Sequence, residues 1–271
     1  MSGLSVGPGW SLIAPFSRGA GRTLALLYNP VTGKARSIEI QPFTGAIWRG
    51  PEFQLAPGWD HIVYCHDRLV FLSESTGTGS VWKIEYEAKP RTITGFPAGR
   101  MTVVSDGRRI LAAVSNRIKI CRPTDYSLDV LANTIDTLKL RATTTAGAGL
   151  FVDYVVRYRE QADVGVSCID AAEQPRRIAS WGGVSPNWTM AVPTNGQVLM
   201  YDSEAGGGWV ASAASDSKWE FGHPVGISAF WTHLVSVGSW LLFYAEYDGT
   251  FATGFLAPDG TFSGEIHQVN E

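Results

Sequence analysis

The chain has 271 residues, of which 45% are hydrophobic and 17% charged, with ten Trp and a formal net charge of −3. Such a composition buries a sizeable core and lies far from that of a disordered chain, and a slightly acidic balance without a basic run leaves no footprint for a nucleic-acid backbone. No apolar run approaches the roughly 18 to 20 residues of a membrane-spanning helix, and "MSGLSVGPGW" has no signal-peptide pattern, so the expectation is a cytoplasmic protein with neither membrane nor nucleic acid as partner.

The first predicted unit starts near Gly9 and reads "GWSLIAPFSRGAGRTLALLYNPVTGKARSIEI": short apolar runs separated by turn signals, the pattern of an antiparallel meander. The second starts near Gly58, "GWDHIVYCHDRLVFLSESTGTGSVWKIEY", and repeats the order of Trp, apolar strand, turn and second apolar strand. The third, "GRMTVVSDGRRILAAVSNRIKICRPTDYSLDVL" from Gly99, has Arg100 where the others have Trp. The fourth, from Thr137, is the weakest and brings charge close to its first strand, with Asp136, Lys139 and Arg141 in "DTLKLR". The fifth starts at Asn187 with "NWTMAVPTNGQVLMYDSEAGGGW", and the sixth at Phe230 with "FWTHLVSVGSWLLFYAEYDGTFATGF". The anchors Trp10, Trp59, Arg100, Trp188 and Trp231 stand 49, 41, 88 and 43 positions apart by subtraction, and the 88 holds two units. Repeats of this length with four strands each are propeller blades, because one twisted sheet covers its faces only against its neighbours. The expected fold is therefore an all-β, six-bladed β-propeller of four-stranded antiparallel blades, one domain over 1–271 with blades starting near 9, 58, 99, 137, 187 and 230.

The repeating frame, with its W-x-H-[IL]-V opening in the blades at Gly58 and Phe230 and its later "LLFY" and "DG" elements, resembles that of lectin-like β-propellers of the tachylectin and tectonin type. The resemblance implies carbohydrate-binding sites on or between blades.

Several side chains are candidates for chemistry. Trp10, Trp59, Trp188 and Trp231 recur at one phase, which fits a wedge between blades, and an indole face would equally stack on a ligand ring. His61 and His233 share a phase two positions after the Trp, as either strand-bonded histidines or ligand contacts near the channel mouth. Arg100, Lys139 and Arg141 would suit an anionic or carbonyl group on one side of the ring. The candidate assignment is Arg100, Arg141 and His233 as catalytic groups, with Trp10, Trp59, His61, Lys139, Trp188 and Trp231 binding the ligand. Cys65, Cys121 and Cys168 are far apart and odd in number, so they read as buried thiols with no disulfide framework, and no ligand spacing marks a metal site. No P-loop, Rossmann, HExxH or GxSxG pattern occurs, so no cofactor is expected.

A multivalent lectin should repeat its contact residues along with its strands. Here the turns diverge and the anchor Trp is lost in two units. The reading that follows is one asymmetric small-molecule pocket at the channel mouth, on the face of the inter-blade links, extending to a cofactor-independent cyclase or cycloaddition enzyme of natural-product biosynthesis. The alternative is the lectin; a protein-interaction platform has no specific feature behind it. The oligomeric state is left open.

Overall fold

A computed structural model describes residues 8–18, 22–65, 67–83, 91–94, 98–105, 110–114, 117–122, 127–131, 140–147, 150–156, 162–169, 175–184, 187–215 and 218–267. All the regular elements described are strands. Sheet 1 comprises β1 (Leu12–Arg18), β2 (Arg22–Tyr28), β3 (Lys34–Ile40) and β4 (Ile47–Gln54), and sheet 2 comprises β5 (His61–Cys65), β6 (Arg68–Ser73), β7 (Thr78–Lys83) and β8 (Arg91–Thr94). Sheet 3 holds β9 (Met101–Ser105), β10 (Ile110–Val114), β11 (Arg117–Arg122) and β12 (Ser127–Leu131); sheet 4 holds β13 (Leu140–Gly147), β14 (Leu150–Val156), β15 (Ala162–Ile169) and β16 (Pro175–Val184). Sheet 5 runs through β17 (Met190–Thr194), β18 (Gln197–Tyr201), β19 (Gly208–Ser215) and β20 (Lys218–Val225), and sheet 6 through β21 (His233–Val237), β22 (Trp240–Ala245), β23 (Thr250–Leu256) and β24 (Phe262–His267).

Each sheet is a simple antiparallel meander, with sequence neighbours hydrogen-bonded in order. The first strands touch in a closed cycle: β1 meets β5, β5 meets β9, β9 meets β13, β13 meets β17, β17 meets β21, and β21 returns to β1. The first strands therefore line an axis and the sheets radiate from it.

This arrangement explains the apolar runs. A second strand packed between two neighbouring sheets is buried on both faces and has no reason to alternate apolar with polar. In β2, Ala25 and Leu27 join a cluster with Leu242, Tyr244 and Phe251 of sheet 6, whereas Leu24, Leu26 and Tyr28 face Ile62, Leu69 and Phe71 of sheet 2. In β22, Leu241 and Phe243 pack toward Leu199 and Tyr201 of sheet 5, and Leu242 and Tyr244 toward sheet 1. Each fully buried large apolar side chain contributes about 1.5 to 3 kcal/mol, so sheets 1, 2 and 6 are held from both sides. The outermost β4 is largely exposed.

The turns between second and third strands share one backbone form despite their different residues. The N–H groups of Gly33, Gly77, Gly206 and Gly249 donate to the carbonyls of Asn29, Ser73, Asp202 and Ala245, at 2.8, 3.0, 3.1 and 2.9 Å. The side chains of Asn29 and Asp202 reinforce the turn by accepting from two backbone N–H groups each. Cys65 is a buried thiol; the side chains of Cys121 and Cys168 lie outside the described residues. Among the described residues, no helix is long and apolar enough to cross a membrane.

Candidate functional site

The ends of the first strands divide into two kinds. At the end where each link enters, the residues are engaged in joining one sheet to the next. The N–H groups of Gly9, Gly58, Gly99 and Phe230 donate to the carbonyls of Glu246, Pro30, Glu74 and Ser203 on the turn of the preceding sheet, at 3.2, 2.8, 2.7 and 2.8 Å. One residue further on, the Trp10, Trp59 and Trp231 N–H groups donate to the phenol oxygens of Tyr244, Tyr28 and Tyr201, at 3.1, 3.4 and 3.3 Å. Tyr28 and Tyr201 donate onward to the carbonyls of Ala56 and Ser228. All three tyrosines are fully buried, and burial pushes their pKa values up, that of Tyr201 to about 12.

Trp10, Trp59 and Trp231 sit inside these joints, and Trp188, at the start of sheet 5, is buried as well. Trp10, Trp188 and Trp231 are only 6%, 6% and 7% exposed, and Trp59 packs partly buried on Phe71 with ring centroids 5.9 Å apart. Indoles covered to that degree serve first in packing, although Trp231 still borders a concavity at the joint of sheets 5 and 6. His233 holds the joint between sheets 6 and 1: its Nε2 lies 2.9 Å from the Ser11 carbonyl, which can only accept, so that nitrogen carries the proton. Ser11 Oγ in turn donates to Glu246 at 2.6 Å.

His61 and Arg100 come together at the joint between sheets 2 and 3. His61 Nε2 is 2.8 Å from Glu74 Oε1, which also accepts the Met101 N–H at 2.9 Å. Burial works to raise the Glu74 pKa, but the Met101 N–H and His61, with help from the charge of Arg100, outweigh it and hold the carboxyl below its ordinary range. This joint replaces the tyrosine clamp: Leu72 stands in the phase of Tyr28, Tyr201 and Tyr244, and Arg100 in the phase of Trp. Lys139 and the side chain of Arg141 lie outside the described residues.

The other half of the channel holds a cavity of about 500 Å³. Its walls come from the later residues of the first strands: Phe16 and Ser17 of β1, Ile62, Val63 and Tyr64 of β5, Val103 to Ser105 of β9, Val192 of β17, and Leu234 to Ser236 of β21. Arg22 and Thr23 of β2, and Gly238 of the turn before β22, complete it. The sequence reading places the pocket at the link end, whereas this described cavity lies at the opposite one. The described residues at the link end are used in ring closure, and the opposite strand ends form the cavity.

The cavity is predominantly apolar, with hydroxyls at its edge. Ser17 Oγ lies 3.0 Å from Tyr64 Oη, and the Tyr64 hydroxyl also reaches the Ser17 carbonyl at 3.1 Å, tying β1 to β5. Arg22 is the one charged group in the described lining; its side chain is 61% exposed, with Glu39 at 3.8 Å. None of the nine residues predicted as catalytic or ligand-binding belongs to the described lining. Nothing in the sequence marks the lining as special, since Val, Phe and Ser in alternation are ordinary strand residues.

No family model and no curated protein matches the sequence. Solved structures do resemble the fold. A chain of a nidogen/laminin complex is 16% identical with a TM-score of 0.63, over 90% of this chain and 93% of that one. A candidate 6-phosphogluconolactonase from Bacteroides uniformis is 10% identical with a TM-score of 0.62, over 96% and 86%. The periplasmic gluconolactonase of Pseudomonas aeruginosa is 12% identical with a TM-score of 0.59, over 95% and 88%. The chain is a β-propeller. Its blades are four-stranded and antiparallel, and identities this low carry the fold alone. They lend no support to a tachylectin or tectonin kinship.

Proposed function

We propose that this six-bladed propeller binds one small, largely apolar organic molecule in its channel cavity. The observation that carries the reading is the cavity itself: about 500 Å³, walled mainly by apolar side chains, with a few hydroxyls and one arginine at its edge. Concave apolar sites with few polar groups are the usual form of small-molecule pockets. A pocket on the ring axis also occurs once per chain, in keeping with blades that repeat their joints but not their cavity residues. Two of the similar structures bear names of lactone-processing enzymes, so a propeller of this form is compatible with small-molecule chemistry.

The enzymatic extension is a cofactor-independent cyclisation. Apolar walls would fold a flexible substrate toward its reactive shape, and the Tyr64 phenol, turning its proton from the Ser17 carbonyl to a substrate carbonyl, would polarise it. Carbohydrate stacking on the anchor tryptophans is less favoured, since a sugar would have to displace the packing that joins the blades.

The test is native mass spectrometry of the wild type and Val104→Trp with panels of apolar metabolites and simple sugars. Val104 lines the cavity, so the larger ring fills it. One apolar ligand per chain, lost in Val104→Trp, is the expected result. Several sugars per chain, or binding untouched by the filled channel, would refute the proposal.

A further inference from the structure

The link between blades 5 and 6 departs from the others at one residue. At the position where the link N–H turns back to the preceding blade, the chain needs a positive φ, and glycine supplies it in three blades: Gly9 at +91°, Gly58 at +89° and Gly99 at +112°. In the link before Trp231 the same position is Phe230, at φ +74°. A side chain with a Cβ is strained there, and a large aromatic has no local hydrogen bond to compensate as Asn or Asp would. The ring is also not repaid by burial, because Phe230 is 68% exposed. Glycine would serve the backbone better, so the phenyl ring answers a need that the folded chain alone does not show.

Its surroundings indicate that need. Phe230 lines a concavity of about 450 Å³ together with Met190, Ser203, Trp231, Thr232 and Tyr247. Tyr247, on the turn of blade 6, is itself 69% exposed. All six residues are uncharged, which argues against an ionic ligand. Thr232 is committed, donating to the Tyr244 carbonyl and accepting the Glu246 N–H, whereas Ser203 Oγ accepts from Thr189 and keeps its own O–H proton. The Tyr247 phenol and the Ser203 O–H are therefore the side-chain polar groups left for a ligand. A sugar ring, which needs several hydrogen bonds, is poorly served; a flat ring with one polar substituent is well served.

We propose that the joint between blades 5 and 6 is a second binding site, separate from the channel, which takes the face of a small uncharged aromatic molecule on Phe230 and Tyr247.

The experiment is a saturation-transfer NMR titration with 2-naphthol as probe and methyl β-glucopyranoside as the sugar control. It compares wild type, Phe230→Gly, Tyr247→Ala and the channel-filled Val104→Trp. Expected are saturable 2-naphthol binding to wild type and Val104→Trp alike, and a loss of about tenfold in affinity in Phe230→Gly and Tyr247→Ala, as for removing one aromatic contact. Phe230→Gly should also unfold at a higher temperature, since it relieves strain, so that its lost binding cannot be misfolding. Wild-type affinity in Phe230→Gly, binding abolished only by Val104→Trp, saturation by the glucoside in place of 2-naphthol, or no saturable binding to the wild type would each overturn the proposal.

Discussion

Tyr201→Phe removes one oxygen and tests the inter-blade clamp directly. In the wild type the Tyr201 phenol accepts the Trp231 N–H at 3.3 Å and donates to the Ser228 carbonyl at 2.8 Å. Without it, Ser228 lies exposed and its carbonyl can turn to water, but the N–H of buried Trp231 has no such recourse. A buried donor left without a partner costs about 1 to 3 kcal/mol, so we expect about 2 kcal/mol. With unfolding entropy near 2.1 cal/mol/K per residue, that lowers the melting temperature of a chain this long by about 3 to 4 °C. Tyr201→Leu, which copies the natural Leu72, should cost more, because it also removes ring contacts from the cluster holding Leu199, Trp231 and Phe243. Differential scanning calorimetry of the two variants separates the hydroxyl from the ring. A shift under about 1 °C in Tyr201→Phe would show that the Trp231 N–H finds another acceptor, and the clamp argument would fall.

The same phenol gives a pH signature. Burial, and to a lesser extent the charge of Asp202, raises its pKa from the ordinary 10.0 to about 12 against the opposing Trp231 N–H. Between those values the unfolded chain has released a proton that the folded chain retains, so stability falls as pH rises through this window. Two pKa units correspond to about 3 kcal/mol. Tyr201→Phe should flatten part of the alkaline decline, leaving that due to Tyr28 and Tyr244.

Three further outcomes are accessible. The Glu74 carboxyl is held below its ordinary pKa of 4.5, so it stabilises the fold above that value and loses this effect as pH falls through its folded pKa; Glu74→Gln keeps an acceptor for Met101 and should make guanidinium midpoints less dependent on pH between about 3 and 5. Gly206 has φ +76°, and a Cβ there would lie 2.8 Å from both the Ala229 nitrogen and the Ile227 carbonyl oxygen, so Gly206→Ala should lower stability by about 2 kcal/mol or more in chemical denaturation. Val104→Trp, which fills the cavity from a partly exposed position, should abolish channel binding while retaining the wild-type far-ultraviolet circular dichroism.

Much of the architecture was legible because propeller blades impose it. "LALLY", "LVFL", "VLMY" and "LLFY" mark strands buried on both faces, and "NPVTG", "SESTG", "DSEAG" and "AEYDG" mark turns that prove to share one backbone form despite their different chemistry. The clamp was legible too, in the Tyr that ends three of those four runs, but its meaning depends on a partner in the next blade that periodicity does not name. His61 and His233 illustrate the limit. They share a phase, yet one binds a carboxylate and the other a carbonyl, because residue 74 of one joint and residue 11 of the other stand closest. The channel lining left no mark at all. Its residues obey the strand pattern, and only the third dimension brings Ser17, Tyr64, Ser105 and Ser236 to one cavity.

The two halves of the first strands therefore meet different packing demands. At the link end each residue must match the neighbouring blade, and a change on one side requires a change on the other: where the Tyr becomes Leu72 the Trp becomes Arg100, and the carboxylate of Glu74 takes over the joint. Coupling of that kind preserves a repeat, which is why the anchors are what periodicity detects. At the opposite end the described cross-sheet bonds differ from joint to joint: Ser17 meets Tyr64, Asn195 donates to the Leu256 carbonyl, and Trp240 Nε1 donates to the Pro42 carbonyl. Those positions are free to differ from blade to blade, and a ring whose joints repeat while its cavity does not is suited to hold one asymmetric molecule on its axis. Phe230 supports the same division from the other side, for it breaks the repeat within a joint, at a cost in backbone strain, and does so beside a second exposed aromatic.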